Sequence, residues 1–225
     1  TEDFDWDAIF KDAGYFHFTG ITPALGKGVA DVCMDACRMA KERGITISCD
    51  LNYRKNLWTT KQAKETMEKL LAYVDVLIAN EEDAEKVLEI SAPDTDVMTG
   101  QLNMNGYVYV AKQICEKYRI PTVAITLRES ISASDNNWSG LLYTGNNSYF
   151  SRKYAVRLVD RVGGGDSFAA GLIYALGHEF EPQACIEYAV AASCLKQTME
   201  WDVNLSSAAE IQALVSGNGS GRVQR

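Results

Sequence analysis

The sequence predicts an α/β fold in which helices cover a mostly parallel central sheet. Short apolar and β-branched runs alternate with longer amphipathic segments along most of the chain, which is typical of βαβ units. Glycines mark the ends of helical patterns, as Gly44 does directly before the apolar run at 45–49. Neither an internal repeat nor an interdomain linker is visible, so we expect a single domain over residues 1–225.

The first half of the chain is predicted to alternate strands and helices. Aromatic residues dominate the predicted strand at 15–19, and β-branched or apolar residues dominate those at 45–49, 74–79 and 122–126. Apolar residues recur at helical spacing over about 29–44, 60–73, 81–88 and 107–118, after a short amphipathic stretch at 4–10. The irregular stretch at 92–104 is predicted to be a surface loop.

The second half changes character between residues 130 and 160. Short β-rich runs at 131–133, 140–143 and 149–150 are punctuated by Asn-Asn at 136–137 and Gly-Asn-Asn at 145–147, which are hairpin signals. Helical patterns return at 166–176, 182–199 and 208–215. The glycine-rich tail at 217–225 is predicted to be frayed.

Composition favours a small-molecule ligand over a macromolecular partner. The net charge is −8, the isoelectric point is near 4.9, and the 22 Lys and Arg residues are scattered, which argues against a nucleic-acid-binding surface. No apolar run is long enough to span a membrane, and no signal-peptide pattern is visible. We therefore expect a soluble cytoplasmic protein.

The six cysteines are predicted to belong to the core. They lie mostly in apolar patterns, form no C-x-x-C motif, and have only two histidines as potential co-ligands, so a zinc site is not favoured. Cys33 and Cys37 would share one helix face, where small buried thiols are the simpler interpretation.

A run of three glycines before an acidic residue, at 163–166, carries the strongest chemical signal. Glycine amides at a helix start can close on an anion, and the helix dipole favours negative charge there. A carboxylate at that point, Asp166, suits a general base, so the run favours phosphoryl transfer to a hydroxyl. A glycine-rich turn that ends in an Asp N-cap explains the spacing equally well. Neither the Walker nor the Rossmann pattern is present.

Two motifs resemble one known family. Residues 160–166 read D-R-V-G-G-G-D and resemble the D-T-x-G-A-G-D signature of the ribokinase-like (PfkB) carbohydrate kinases. Residues 48–58 resemble the D-x-N-x-R-x-x-L-W segment of the 2-keto-3-deoxygluconate kinases in that family. The resemblance implies a three-layer α/β/α sandwich. It covers the C-terminal two thirds of the family domain, without the N-terminal part and the β-sheet lid.

The resemblance implies ATP-dependent phosphorylation of a sugar acid, with 2-keto-3-deoxygluconate converted to its 6-phosphate. Asp166 would be the general base, and the amides of Gly163, Gly164 and Gly165 would stabilise the transferring phosphoryl group. ATP and Mg²⁺ are the expected cofactors, and a monovalent cation is a further candidate. Arg161 replaces the family threonine, where it would either contact phosphate or alter the neighbouring cation loop.

Two further residues are implied to contact the sugar acid. Arg54 matches a substrate-binding arginine, and a guanidinium suits a carboxylate ligand. Asp202 matches a substrate-contacting acid by its ungapped spacing from Asp166. Without the resemblance, Arg54 would be interpreted as a surface arginine and Asp202 as an ordinary loop residue.

Other positions are implied to serve ATP and magnesium. Asn80 and Asp83 resemble the family N-x-x-E motif, with Asp83 acting on the metal through water; an Asn N-cap on an acidic first turn is a compatible local interpretation. Thr126 and Arg128 lie where the family has T-L-G along the nucleotide. Val190 lies on the adenine-side helix, whose alanine-rich face also suits close helix packing.

We expect these motifs to meet at one edge of the sheet, because each is predicted to follow a strand and such sheets bind ligands at the carboxyl ends of their strands. Two alternatives remain open: a kinase for fructose or another neutral sugar, and a non-catalytic nucleotide- or sugar-binding module. A homo-oligomer is expected if the lid is present.

Overall fold

The computed structural model describes residues 3–92 and 104–217. They fall into two compact units. Unit 1 comprises 3–92, 104–125 and 143–147, and unit 2 comprises 126–142 and 148–217. The predicted loop at 92–104 and the predicted tail at 217–225 lie outside the described residues except for residues 92, 104 and 217. The single-domain prediction stays a prediction.

Unit 1 is built on parallel strands. Strands β1 (Tyr15–Thr19), β2 (Thr46–Asp50) and β3 (Val76–Asn80) pair in this order, with Tyr15 opposite Thr46 and Ser48 opposite Val76. The first half of β4 (Thr122–Ser130) follows β3. The helices of this unit are α1 (Trp6–Ile9), α2 (Ile21–Ala24), α3 (Lys27–Glu42), α4 (Thr60–Leu71), α5 (Glu81–Leu88) and α6 (Met104–Tyr118).

Local sequence explains where several of these helices begin and end. Thr59 and Gln62 form a capping box at the start of α4, which satisfies backbone N–H groups that have no helical partner. Gly44 adopts a positive φ of 69° between α3 and β2. The apolar faces of these helices and strands meet in a core that includes Ile47, Met67 and Leu77, all fully buried.

Unit 2 combines antiparallel pairing with a helical layer. The second half of β4 is followed by β5 (Asp135–Thr144) and β6 (Asn147–Phe150), and β7 (Tyr154–Arg157) pairs antiparallel with β5. The helices are α7 (Gly164–Gly177), α8 (Pro182–Gln197) and α9 (Ala208–Val215). Helices α7 and α8 approach closely because their contact residues are small. A Cβ placed on Gly171 would lie 3.0 Å from the Cβ of Ala192.

Most predicted elements are confirmed, and the exceptions have physical reasons. Strand β1 and helices α5 and α9 have the predicted bounds. Helix α2 and strand β7 were missed because four residues are too few to show a period. Residues 131–133 are a turn rather than a strand. The Asn-Asn pair at 136–137 lies inside β5, where Asn137 donates to Glu129 at 2.9 Å instead of forming a hairpin turn.

The cysteines are free thiols, and Cys33 and Cys37 are buried as predicted. Burial raises the pKa of the Cys37 thiol to about 12, so it stays protonated and packs as an apolar side chain. Across the described ranges, no helix has the length and apolar character needed to cross a membrane.

Candidate functional site

The start of α7 is shaped by the glycine run. Gly163 is the N-cap residue and adopts the left-handed conformation, with φ 78°. A Cβ at this position would overlap the backbone oxygen of Asp202 and lie 2.9 Å from its carbonyl carbon. Gly163 is therefore required both by its own backbone angle and by the close approach of a second segment. That segment carries Asp202, which the family resemblance implies to be a substrate-binding residue.

The glycine amides do not all play the same part. The Gly164 amide donates to the carbonyl of Arg161 at 3.2 Å and closes the turn, while the Ser167 amide donates to Gly163 at 2.9 Å. The amides of Gly165 and Asp166 lie in the first helical turn, where N–H groups have no partner within the helix. These two amides are therefore the better placed donors for an anion.

Asp166 borders a cavity. Its side chain is exposed in the first turn of α7 and lines a cavity of about 430 Å³ together with Asp202 and Asn204. Tyr174 and Tyr188 line it as well. Asp166, predicted from the glycine run, and Asp202, predicted from its spacing from Asp166, thus share one cavity with the start of a helix. Arg161 is exposed on the turn.

Arg54 borders a second cavity, which belongs to unit 1 and measures about 280 Å³. Lys55, Asn80 and Asp83 also line it. The exposed Arg54 donates to the carbonyl of Tyr53 at 3.3 Å and forms no ion pair with any carboxylate in the described part of the chain. Its guanidinium is available to an anionic ligand. The adjacent Lys55 was missed, although its position in the same motif could have indicated it.

The loop that carries Arg54 is held by its neighbours. Asn52 adopts a positive φ of 38°, and its side-chain NH₂ group donates to the hydroxyl of Thr19 at 3.2 Å. The Tyr53 amide donates to the carboxylate of Asp83 at 3.1 Å, and the Tyr53 hydroxyl donates to the carbonyl of Trp58 at 3.2 Å. These bonds place Arg54 on a braced loop rather than on a free surface segment.

Asp83 is a buried acid, with 4% of its surface exposed. Burial raises its pKa to about 6, against the lowering effects of hydrogen bonds from the Tyr53 and Asn80 amides and of the charge on Arg54. The helix-cap interpretation of Asn80 is confirmed, since its side chain accepts from the Asp83 amide at 2.8 Å. The water-mediated metal role of Asp83 stays a prediction.

The remaining predicted residues have different surroundings. Thr126 and Arg128 lie inside β4 rather than after a strand, and only Arg128 is exposed. Val190 has 0% of its surface exposed and lies beside Gly140, so it packs in the core. The nucleotide contacts of Thr126, Arg128 and Val190 stay predictions. The expectation that all the motifs meet at one edge of the sheet also stays a prediction. Within residues 3–92 and 104–217, no group of three or more His, Cys, Asp or Glu side chains is arranged to hold a metal ion.

Residues 1–200 match the model of the pfkB family carbohydrate kinases. The chain belongs to this family. It superposes on the crystal structure of a 2-dehydro-3-deoxygluconokinase from Thermotoga maritima with a TM-score of 0.90 and 49% sequence identity, covering 96% of this chain and 64% of that one. The predicted ribokinase-like α/β fold is thereby confirmed.

The chain is also similar to a curated protein and to a second solved structure. A 2-dehydro-3-deoxygalactonokinase from Haloferax volcanii is 29% identical over 213 residues, which are 95% of this chain and 60% of that protein. A crystal structure of a putative ribokinase II from Escherichia coli, in complex with ATP and Mg²⁺, shares the fold with a TM-score of 0.72 and 19% identity, covering 94% of this chain and 61% of that one. The chain thus spans less than two thirds of the length of these relatives.

Proposed function

We propose that the protein transfers the γ-phosphoryl group of ATP to a hydroxyl of a 2-keto-3-deoxy sugar acid, with 2-keto-3-deoxygluconate as the preferred acceptor. The observation that carries the proposal is the position of Asp166, in the first turn of α7 and on the wall of a cavity that it shares with Asp202. The gluconate acceptor is supported by the 49% identity to the Thermotoga kinase for that sugar acid.

Asp166 would accept the proton of the attacking hydroxyl as the hydroxyl oxygen bonds to the γ-phosphorus, the bond from that phosphorus to the bridging oxygen of the β-phosphate breaks, and ADP leaves. Such proton transfer is worth about 10²–10⁴-fold in rate. The amides of Gly165 and Asp166, assisted by Gly163 at the N-cap and by the helix dipole, stabilise charge on the phosphoryl oxygens. ATP would supply the phosphoryl group when bound, and Mg²⁺ would neutralise charge on its phosphates.

Arg54 supplies the recognition of the acid group. A planar guanidinium forms paired hydrogen bonds with a carboxylate, and Lys55 adds positive charge beside it. Asp202 is assigned to a sugar hydroxyl. Asn80, Thr126 and Arg128 are assigned to the nucleotide, and Asp83 is assigned to Mg²⁺ through water, which suits a cation that keeps most of its water ligands.

A kinase assay of the full-length protein tests the proposal. We expect Asp166→Asn to lower kcat by about 10²–10⁴-fold while the affinity for ADP changes little, because the amide keeps the shape but loses the base. Glu200→Gln, an exposed acid outside the cavity, is the matched control. Equal rates for wild type and Asp166→Asn would remove the base from the mechanism. ATP binding without turnover in wild type would favour the non-catalytic module.

A second acceptor is favoured by the similarity to the Haloferax kinase, namely 2-keto-3-deoxygalactonate. The assay therefore compares this acid, 2-keto-3-deoxygluconate and fructose at equal concentration. A kcat/KM for fructose equal to that for both acids would overturn the sugar-acid assignment and favour a neutral-sugar kinase.

A further inference from the structure

Lys196 is a charged residue in the interior of unit 2. It lies in the last turn of α8 and has 0% of its surface exposed. Among the residues described, it forms no ion pair; its ammonium instead donates to the backbone carbonyls of Asp160 at 3.4 Å and of Met199 at 3.5 Å. Burying an ammonium is costly unless its N–H groups have acceptors, and the two carbonyls supply acceptors here.

The two carbonyls belong to the two segments that meet at the start of α7. Asp160 opens the turn that leads to Gly163, and its carboxylate accepts the Val162 amide at 2.9 Å. Met199 follows α8 and precedes Asp202, whose backbone packs against Gly163. The ammonium therefore connects the turn before Asp166 with the loop that carries Asp202.

Two neighbouring residues of α8 hold the same turn. The Val159 amide donates to the carbonyl of Gln197 at 2.9 Å, and the Ser193 hydroxyl donates to the carbonyl of Gly164 at 2.8 Å. Carbonyls at a helix C-terminus carry partial negative charge, which favours a cation at this end of α8. Lys196 supplies that cation from within the chain.

We propose that Lys196 is a positioning residue, whose ammonium is a built-in cation that holds Gly163, Asp166 and Asp202 in their mutual geometry. The chain's own cation neutralises these carbonyls, so the turn needs no dissociable monovalent cation. The effect on catalysis rests on the proposed kinase activity; the effect on the turn does not.

Two substitutions in the full-length protein separate charge from volume. Lys196→Ala opens space beside the two carbonyls, whereas Lys196→Met fills it without charge. We expect both to lower kcat by about 100-fold, the scale of a displacement of roughly 1 Å at a reacting group. Ammonium chloride should restore at least about a tenth of the wild-type kcat to Lys196→Ala but not to Lys196→Met, because methionine leaves no room for the ion. Choline chloride at the same concentration controls for ionic strength.

Amide hydrogen exchange gives a readout that needs no activity. Exchange in the peptide covering 159–166 should accelerate in both variants and should slow again with ammonium only in Lys196→Ala. Lys112→Ala, which removes an exposed lysine of α6, should leave the exchange unchanged.

The outcomes are distinct. Wild-type kcat and wild-type exchange in Lys196→Met would overturn the proposal, as would strong stimulation of the wild-type enzyme by potassium or ammonium. If Lys196→Ala does not fold, the methionine variant decides. If wild type has no kinase activity, the proposed function fails while the exchange data still judge the role of Lys196.

Discussion

The two cavities are shaped by different kinds of interaction. In unit 2, the wall beside Asp166 is defined by backbone, since Gly163 has a left-handed conformation and lies directly against the backbone of Asp202. In unit 1, the wall beside Arg54 is defined by side chains, with the carboxylate of Asp83 bracing the loop. Backbone packing tolerates no added atom, whereas a side-chain brace can be changed gradually. We therefore expect substitutions in the wall beside Asp166 to cause large losses of stability, and substitutions in the wall beside Arg54 to cause smaller and graded changes in stability or binding.

The largest effect is expected for Gly163→Ala. The added Cβ collides with the Asp202 backbone and the residue must keep a positive φ, so we expect a loss of about 4 kcal/mol or more in the free energy of unfolding. Urea titration measures the loss. Gly165→Ala is the matched control, since a Cβ there has no neighbour within 4 Å. Equal losses for the two variants would contradict the backbone-defined wall.

Asp83→Asn tests the side-chain brace through pH. The pKa of Asp83 is raised to about 6 from 3.8, so the folded state holds its proton more tightly and stability falls as pH rises between these values. The Asp83→Asn substitution should abolish a contribution of up to about 3 kcal/mol to this pH-dependent loss of stability. The side-chain oxygen of the asparagine can still accept the hydrogen bond from the backbone N–H of Tyr53. Unfolding free energies at pH 4 and pH 7 measure it. An unchanged difference between the two pH values would show that burial does not control this acid.

Arg54→Ala should have a smaller and more selective effect. Losing a charged hydrogen bond of about 1.5–3 kcal/mol should raise KM for the sugar acid about 10- to 100-fold and leave KM for ATP nearly unchanged. Lys55→Ala, which lines the same cavity, is the comparison, and we expect a weaker effect because an ammonium is not bidentate. A similar rise in KM for a neutral sugar would point to a structural role of Arg54 instead.

The smallest effect is expected for Ser193→Ala. Its buried hydroxyl donates to the carbonyl of Gly164 at 2.8 Å, and its loss should cost about 1–3 kcal/mol of unfolding free energy, because a buried carbonyl loses one of its hydrogen-bond donors. Ser216→Ala removes a bond of the same length from an exposed site, so it should cost no more than about 0.5 kcal/mol. Thermal unfolding of the pair measures the difference, and equal shifts would argue against a braced turn.

The accuracy of sequence-based prediction followed the range of the interactions involved. The bounds of α5 were predictable because Asn80 caps the helix and the apolar period is local. Strand β7 was not predictable, since a four-residue run acquires its identity by pairing with β5. Likewise, Arg128 was expected after a strand, but β4 continues through Ser130.

The sequence by itself determined the alternation of strands and helices, the glycine run before Asp166 and the motif around Arg54, because these depend on residues close together in the chain. The tertiary structure decided which of those residues are constrained and how. Gly163 has no room for a Cβ because the Asp202 backbone approaches it, Asp83 has a raised pKa because it is buried, and Lys196 is buried beside the backbone carbonyl of Asp160. The burial of these residues and the close backbone approach depend on segments that are distant in sequence, so composition and periodicity cannot predict them.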